Sequence, residues 1–421
     1  MINVKYYEQR SAYDADKSKL ILPNLSLCKD TGEVFYNPKP EPHDYSQDYL
    51  TFVAEEDGTF KFSGNSVNYS VDDGASWTTL ASNTNTPTIS AGVKIMWKAT
   101  LTPSYAGIGR FYSTGNFTAQ GNPMSLLYGD NFKDQKDLTG NGYVFTRLFA
   151  NCTGLTSAEN MSLPATTLDS YCYWSMFSGC TSLTNIPELP ATTLVEHCYL
   201  NMFTDCTSLT TAPELPATTL AYGCYNGMFK GCTSLTTSPS LPATTLASSC
   251  YGTMFYNCTS LTTAPELPAT TLASYCYGGM FNGCTSLTTA PELPATTLAD
   301  YCYNYMFYNC TSLTTAPELS ATTLASNCYE YMFARCTSLT TAPELPATTL
   351  ANYCYYNMFS GCTNLNKITC LAIDMSASYC TSEWVNGVTH PGTFYKNPNM
   401  TSWTRGANGI PYGWTVEDYQ P

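Results

Sequence analysis

The chain has 421 residues, of which 32 are acidic and 18 are basic, so its net charge at pH 7 is −14. Proteins that bind nucleic acid carry an excess of Lys and Arg, so this balance argues against DNA or RNA as a partner. The sequence has no run of about 18 apolar residues, the minimum for a membrane-spanning helix, and therefore predicts no membrane insertion.

The first 47 residues are polar and contain several prolines and tyrosines. This composition is typical of an extended segment that becomes ordered on a partner. We interpret residues 1–47 as an attachment segment; a flexible leader or propeptide is the alternative. The candidate attachment residues are Tyr6, Tyr7, Tyr13 and Tyr36.

No apolar stretch follows a basic start in this segment, as a secretory signal would require. If the chain is complete, we expect the protein to stay in a bacterial cytoplasm and to be assembled there. A bacteriophage particle is built in the cytoplasm and still needs an adhesive surface. The attachment segment is therefore expected to contact other virion proteins.

Residues 48–117 alternate apolar and polar residues between turns rich in Gly, Asp and Asn, which predicts a small antiparallel β-sandwich. Within it, residues 70–77 (SVDDGASW) match the Asp-box pattern S-x-D-x-G-x-x-W of sialidases. We interpret this single copy as a structural hairpin, because no Arg cluster or carboxylate pair suited to glycoside hydrolysis accompanies it. Residues 118–147 are predicted to be a linker and an N-terminal cap.

Residues 148–383 contain nine copies of one unit. One cysteine series runs from Cys180 to Cys362 and a second from Cys172 to Cys380, and both recur every 26 residues. A fixed period of this length indicates a solenoid, in which each unit buries its apolar face against its neighbours.

Each unit is predicted to contain a short helix followed by a strand. Counting from the first cysteine of a unit as position 0, Cys, Tyr, Met, Phe and Cys occupy positions 0, 1, 4, 5 and 8, the spacing of one helix face. Thr193 and Glu196 have the spacing of a capping box at its start. The helix is expected to end at position 7, at residues suited to left-handed backbone: Gly179, Asp205, Gly231, Asn257, Gly283, Asn309, Arg335 and Gly361. The next residues, SLTTAP, are predicted to form strands that stack in parallel.

The recurring run MFxGCTSLTTAPELP resembles the BspA-like leucine-rich repeat, which is abundant in surface proteins of gut Bacteroidetes and in their phages. The resemblance implies a leucine-rich-repeat solenoid used for adhesion or recognition, and it implies no chemistry. The expected fold is therefore an α/β repeat solenoid of 26-residue units, preceded by a small all-β sandwich-like domain and an extended N-terminal segment.

The cysteines lack zinc-ligand spacing, and only three histidines occur in the chain. We expect free buried thiols, with disulfide ladders between adjacent units as the alternative. A third ladder is acidic and is interrupted by Ser240; we expect it to project into solvent, with a row of bound calcium as the alternative. Its members are Glu188, Glu214, Glu266, Glu292, Glu318 and Glu344. No cofactor and no metal site are predicted.

The units differ from one another mainly at positions −2, −1, +2, +3 and +6, between the residues of the core stripe. These positions are expected to project outwards, and their Tyr- and Asn-rich composition is typical of recognition surfaces. Neutral variation of solvent-facing positions is the alternative. The candidate ligand-binding residues are Trp174, Tyr222, Asn226, Tyr256, Tyr275, Asn304, Tyr305, Tyr308, Tyr331, Tyr353 and Tyr356.

Residues 384–421 leave the repeat pattern and are predicted to form a C-terminal cap, with a separate ligand-binding tip as the alternative. No Ser/His/Asp arrangement, phosphate-binding loop or histidine cluster occurs, so no enzymatic activity is predicted. The leading hypothesis is a phage virion fibre or decoration protein whose solenoid binds a host surface protein or glycan. The alternatives are a bacterial cell-surface adhesin and an intracellular interaction scaffold, and homo-oligomerisation on the particle is left open.

Overall fold

The computed structural model describes residues 43–420, together with the backbone of two earlier strands, β1 (Leu25–Leu27) and β2 (Val34–Tyr36). The chain divides into two compact units, Met1–Tyr45 and Ser46–Pro421. In the first unit, β1 and β2 pair antiparallel with Leu25 opposite Tyr36, so the predicted extended segment contains a hairpin. Tyr6, Tyr7, Tyr13 and the side chain of Tyr36 lie outside the described residues.

The second unit begins with a β domain, as the alternating pattern predicted. Five of its strands form a sheet in the order β9-β3-β7-β5-β6, and β4 and β8 form a separate antiparallel pair. The strands are β3 (Leu50–Ala54), β4 (Phe60–Phe62), β5 (Val67–Ser70), β6 (Thr78–Leu80), β7 (Lys94–Lys98), β8 (Phe111–Ser113) and β9 (Phe117–Gln120). Two short helical segments follow, α1 (Ser125–Tyr128) and a 3-10 turn (Gly129–Asn131).

The β domain and the solenoid share one core. Phe52 is fully buried, and its ring lies 4.9 Å from that of Phe111 and 5.8 Å from that of Phe149, which belongs to the first repeat. The first solenoid strand, β10 (Leu155–Ser157), pairs in parallel with β9 and so extends the same sheet. The domain boundary predicted after residue 117 falls inside β9.

The segment from position −1 to position 8 of each repeat is a run of turns, which we call the turn segment. Its backbone N–H groups alternate between two kinds of partner. The Tyr173 N–H donates to the Cys198 carbonyl of the next repeat (3.0 Å), and the Phe177 N–H donates to that of Met202 (2.9 Å). Between them, the Met176 N–H donates to the Tyr173 carbonyl three residues earlier (3.1 Å). This alternation gives the backbone polar groups of the buried segment partners without a helix.

The turn segments have left-handed backbone at every fourth residue. In one turn segment, φ is 60° at Tyr171, 53° at Ser175 and 75° at Gly179, which are positions −1, +3 and +7. Each of these residues precedes the N–H that closes a local turn, the place where a type II turn needs positive φ. The left-handed backbone predicted at position 7 is confirmed, with φ between 58° and 77° in all eight units.

The helix predicted in each unit is wrong. An α-helix would use its N–H groups within the segment and would leave none to donate to the next repeat. Positions 0, 1, 4, 5 and 8 fit a period of four as well as the helical period, and glycines such as Gly278 and Gly279 disfavour a helix. The predicted capping box at Thr193 therefore has no helix to cap, and Thr193 instead forms a parallel bridge with Thr219.

The predicted core stripe is correct. Cys, Tyr, Met, Phe and Cys at positions 0, 1, 4, 5 and 8 are buried from one repeat to the next. The tyrosine rings of adjacent repeats stack with centroids 5.6 to 6.1 Å apart, and the phenylalanine rings stack at 5.4 to 5.8 Å. The solenoid therefore has continuous aromatic columns along its length.

The strands predicted after each turn segment are mostly reduced to single bridges. Thr237 pairs with Thr263, and Thr289 with Thr315, in the central repeats. In these central repeats a proline, which lacks a backbone N–H, lies two residues after each bridging threonine and donates no hydrogen bond to the ladder. Regular strands appear near the C-terminal end, where four of them form a parallel sheet in sequence order. They are β11 (Thr341–Leu345), β12 (Lys367–Cys370), β13 (Thr393–Lys396) and β14 (Thr415–Asp418).

The residues predicted as a C-terminal cap continue the solenoid. Thr393 pairs with Lys367, 26 residues earlier, and Thr415 pairs with Thr393. Trp384 occupies the methionine position of a further turn segment, is fully buried, and stacks on Trp403 at 5.8 Å. None of the helices in the described part of the chain is long and apolar enough to cross a membrane.

The cysteines from Cys152 to Cys380 are all buried free thiols. In the series from Cys180 to Cys362, each thiol donates to a phenylalanine carbonyl of an earlier repeat; the Cys206 Sγ lies 3.2 Å from the Phe177 carbonyl oxygen. Burial raises the pKa of several of these thiols, for example Cys224, to about 12. The reactive thiolate is therefore suppressed near neutral pH.

We expect the thiols of the folded protein from Cys152 to Cys380 to resist a thiol reagent at pH 8, because they are buried and protonated. After unfolding in denaturant without oxidant, nearly all 20 cysteines of the chain should react. The measurement is a thiol titration before and after denaturation. A count near zero in the unfolded protein would show that disulfide ladders form instead.

Candidate functional site: the turn face

The sequence-predicted binding residues lie on one surface of the solenoid. We call it the turn face: the side chains at positions −2, −1, +2, +3 and +6 of successive turn segments. Tyr222 and Tyr275 are 50% and 43% exposed, and the other nine predicted residues are half-buried. The outward projection predicted for those nine is therefore only partial, because they pack against one another across repeats.

The turn-face tyrosines form short stacks. Tyr275 stacks on Tyr301 and Tyr305 stacks on Tyr331, each pair with ring centroids 4.5 Å apart. Tyr353 stacks on Tyr379 at 4.9 Å. One member of two of these stacks, Tyr275 and Tyr379, is exposed at the surface.

A further aromatic row lies at the N-terminal end of the turn face. The ring of Tyr171 lies 4.6 Å from that of Tyr143 and 4.7 Å from that of His197, and the ring of His197 lies 4.9 Å from that of Tyr222. The sequence prediction included Tyr222 but omitted Tyr143, Tyr171, His197, Tyr301 and Tyr379. All five occupy position −1, so the repeat spacing from Tyr275 and Tyr353 would have identified them.

Many turn-face tyrosines have left-handed backbone. Their φ angles lie between 53° and 63°, although bulky residues rarely adopt this conformation. The residues are Tyr143, Tyr171, Tyr275, Tyr301, Tyr305, Tyr331, Tyr353 and Tyr379. Other units place Gly223, Gly227 and Gly279 at the equivalent positions, where glycine fits without strain.

The strain of left-handed backbone at these tyrosines can be compared with the stabilisation that stacking of their rings provides. A side chain in the left-handed region costs about 1–2 kcal/mol per residue. One aromatic stack stabilises the fold by about 0.5–1.5 kcal/mol, and this gain is shared between two residues. Stacking within the chain therefore offsets only part of the strain, and the tyrosines occupy positions where glycine would fit better. Strained residues of this kind concentrate at functional sites.

A groove of about 250 Å³ opens where the turn face carries glycine. Gly252, Gly278 and Gly279 leave the space, and it is lined by five of the predicted residues: Asn226, Tyr256, Tyr275, Asn304 and Tyr305. A Cβ at Gly278 would lie 2.5 Å from Asn304 Oδ1, so a larger residue there would displace the Asn304 side chain. In the described residues, Asn304 Oδ1 is shielded from solvent and has no hydrogen-bond partner. A groove lined by aromatic rings and side-chain amides suits a polar ligand that has flat faces.

Charged groups around the turn face are few. The Arg335 guanidinium lies 5.4 Å from the ring centre of Tyr308, and Lys230 Nζ lies 5.0 Å from that of Tyr256. Burial, followed by the charge of Glu330, raises the pKa of Tyr305, so its hydroxyl is a neutral hydrogen-bond donor at physiological pH. The surface can therefore contact a ligand through aromatic faces, hydroxyl groups and amides.

Two other sequence features have structural roles. In the Asp-box, Ser70 Oγ donates to Asp72 at 2.6 Å, and hydrogen bonds from Ser70 and Ser76 lower the pKa of Asp72 to about 2. The motif forms the turn between β5 and β6, as predicted. The glutamates of the acidic ladder are each exposed, and no group of three or more His, Cys, Asp or Glu side chains suited to a metal converges within the described residues.

The fold and the turn face define a repeat solenoid with an aromatic surface. The family model for the BspA type leucine-rich repeat region matches the chain at residues 143–278, 202–328 and 253–376. These matches cover more than half of the sequence, so the chain belongs to this family, as its repeats predicted. Repeats of this type indicate a protein-interaction or adhesin-type role, and leucine-rich-repeat proteins are generally non-enzymatic binding or scaffold proteins.

The chain is similar to a solved leucine-rich repeat protein from Bacteroides ovatus. The match covers 73% of this chain and 96% of the Bacteroides protein, with 16% sequence identity and a TM-score of 0.30. No curated protein matches the chain.

Proposed function

We propose that this protein is a non-enzymatic recognition protein that binds a bacterial surface receptor or glycan through its turn face. The observation that carries the proposal is the set of tyrosines held in left-handed backbone at positions where neighbouring units use glycine. If the rings had no role, residues that fit left-handed backbone without strain, such as glycine, would be expected at these positions. Retention of the rings is explained if they contact a ligand, because tyrosine gives a large contact area at low entropic cost.

The proposal extends to the protein's location: a bacteriophage virion, as a fibre or decoration component. It is supported by the polar, Pro- and Tyr-rich composition of residues 1–47, which suits attachment to other virion proteins. The family match favours a second candidate, an adhesin on a bacterial cell surface. Both candidates use the same turn face and differ in what holds the N-terminal segment.

The turn face is tested by replacing Tyr305 and Tyr331 together with glycine. Glycine occupies the same position in a neighbouring unit as Gly279, so the backbone is retained without strain. We expect binding to host cells to weaken by about 1 kcal/mol or more for each ring that contacts the ligand. The thermal unfolding midpoint should change little, because relief of the strain is offset by the lost stack together with the larger conformational entropy that glycine loses on folding.

Two controls accompany this variant. Phe307→Ala removes a fully buried ring of the core column and should destabilise the fold by about 3–5 kcal/mol. Tyr412→Ser removes a tyrosine that is 80% exposed in the C-terminal region and should leave binding unchanged. Full binding by folded Tyr305→Gly/Tyr331→Gly protein, with loss of binding in Tyr412→Ser, would move recognition to the C-terminal tip.

The virion assignment is tested by deleting residues 1–47. The truncated protein should keep the folded solenoid but no longer be incorporated into phage particles, because its attachment segment is gone. The measurement is co-sedimentation of full-length and truncated protein with purified virions, with thermal unfolding as the check on folding. If neither form co-sediments, the cell-surface adhesin is favoured; if both do, the attachment role of this segment is wrong.

A further inference from the structure

A cleft of about 540 Å³ lies between the loops of the β domain and the first turn segment. Two arginines, Arg110 and Arg147, line it, and no aspartate or glutamate does. In a chain with net charge −14, a cavity lined by two arginines and by no acidic residue is an unusual concentration of positive charge. Such a cavity favours an anionic ligand.

Neither arginine is ion-paired within the described residues, where the ion pairs involve Lys98, His197 and Lys396. Both guanidinium groups lie over aromatic rings instead. The Arg147 guanidinium is 4.6 Å from the ring centre of Trp174, and that of Arg110 is 5.9 Å from that of Tyr112. This contact orients a guanidinium without neutralising it, so its hydrogen-bond donors remain available to a carboxylate.

Glycines allow the walls of the cleft to approach one another. A Cβ at Gly107, where φ is 82°, would lie 2.7 Å from the Thr146 carbonyl oxygen. A Cβ at Gly109, where φ is 134°, would lie 2.6 Å from the backbone of Gly64. Three separate stretches of chain therefore meet at backbone distance, and the cleft is a built feature of the fold.

The rest of the lining is rich in hydroxyl groups, including those of Ser63, Ser82 and Thr102. The Ser63 Oγ accepts a hydrogen bond from the backbone N–H of Arg110 at 3.0 Å. The Ser82 Oγ accepts one from the side-chain amide of Asn83 at 3.2 Å. Each of these serines keeps its own hydroxyl hydrogen for a ligand. The volume is far larger than a single oxyanion needs, and the hydroxyl lining matches a polyhydroxylated molecule.

We infer that this cleft binds a carboxylated sugar, such as a uronic acid residue of a bacterial surface polysaccharide. The guanidinium groups of Arg110 and Arg147 hold the carboxylate, and the serine and threonine hydroxyls bond to the sugar hydroxyls. This site goes beyond the proposed function, because binding of the free sugar does not depend on the turn-face tyrosines. Arg147 occupies position +3 of the first turn segment and contacts Trp174, so the cleft adjoins the N-terminal end of the turn face.

The test is a titration of the full-length protein with glucuronic acid, followed by ligand-observed NMR. We expect saturable binding that weakens at high salt, and at least about tenfold weaker binding of glucose, which lacks the carboxylate. Arg110→Gln and Arg147→Gln should each weaken glucuronic acid binding about tenfold or more, through loss of charge-assisted hydrogen bonds. Arg335→Gln is the matched control for Arg147→Gln, because both arginines are exposed, have left-handed backbone and lie over an aromatic ring, and Arg335 does not line the cleft.

Absence of saturable glucuronic acid binding by the folded protein would overturn the inference. So would Arg110→Gln and Arg147→Gln variants that bind as tightly as the unsubstituted protein, or inorganic phosphate that binds equally well and displaces the sugar, since that would indicate a general anion site. Tyr305→Gly/Tyr331→Gly protein should bind glucuronic acid normally. Loss of host-cell binding in that variant alone therefore separates the turn-face proposal from this one.

Discussion

The structure of the solenoid depends on one backbone constraint: every second N–H of a turn segment donates to the next repeat, and the others close local turns. The Phe177 N–H to Met202 carbonyl bond (2.9 Å) and the Met176 N–H to Tyr173 carbonyl bond (3.1 Å) are one instance. The same turn segments have left-handed backbone at every fourth residue. The same spacing directs positions 0, 1, 4, 5 and 8 inwards, where the rings and thiols of successive repeats form columns.

This constraint also determines what the surface can display. Positions −1 and +3 are left-handed in every regular repeat, so glycine or asparagine fits them best and any larger side chain introduces strain. Where the chain uses glycine, as at Gly279, a groove opens; where it uses tyrosine, as at Tyr275 and Tyr305, the groove gains walls. The repeated backbone thus serves as a fixed frame on which single substitutions change the shape of the turn face.

Much of this architecture could be predicted from the sequence because the repeat period is visible in the cysteines. The 26-residue unit, the core stripe and the left-handed residues at position 7 all follow from spacing and residue type. The helix could not be excluded by spacing, since positions 0, 1, 4, 5 and 8 satisfy both a helix and a four-residue turn repeat. The deciding hydrogen bonds join residues about 25 apart in the chain, such as Tyr173 and Cys198, and leave no local pattern.

The same limit applies to the candidate sites. Variation between units identified the turn face, but stacking such as that of Tyr305 on Tyr331 depends on ring positions that only the structure gives. The continuation of the solenoid through Trp384 was missed because Trp and Val replace the usual Met and Phe. The arginine cleft combines Arg110 of the β domain with Arg147 of the first turn segment, and no single stretch of sequence contains both.

The central claim is that the turn face makes the contact with the receptor. Hydroxyl-radical footprinting of the full-length protein, free and bound to host cells, tests it most directly, with modified tyrosines located by mass spectrometry. The account predicts that binding protects Tyr222, Tyr275 and the stacked rings near Tyr305, while Tyr395 and Tyr412 in the C-terminal region remain equally reactive. Unchanged reactivity of the turn-face tyrosines in the bound protein, with protection confined to Tyr395 and Tyr412, would contradict it.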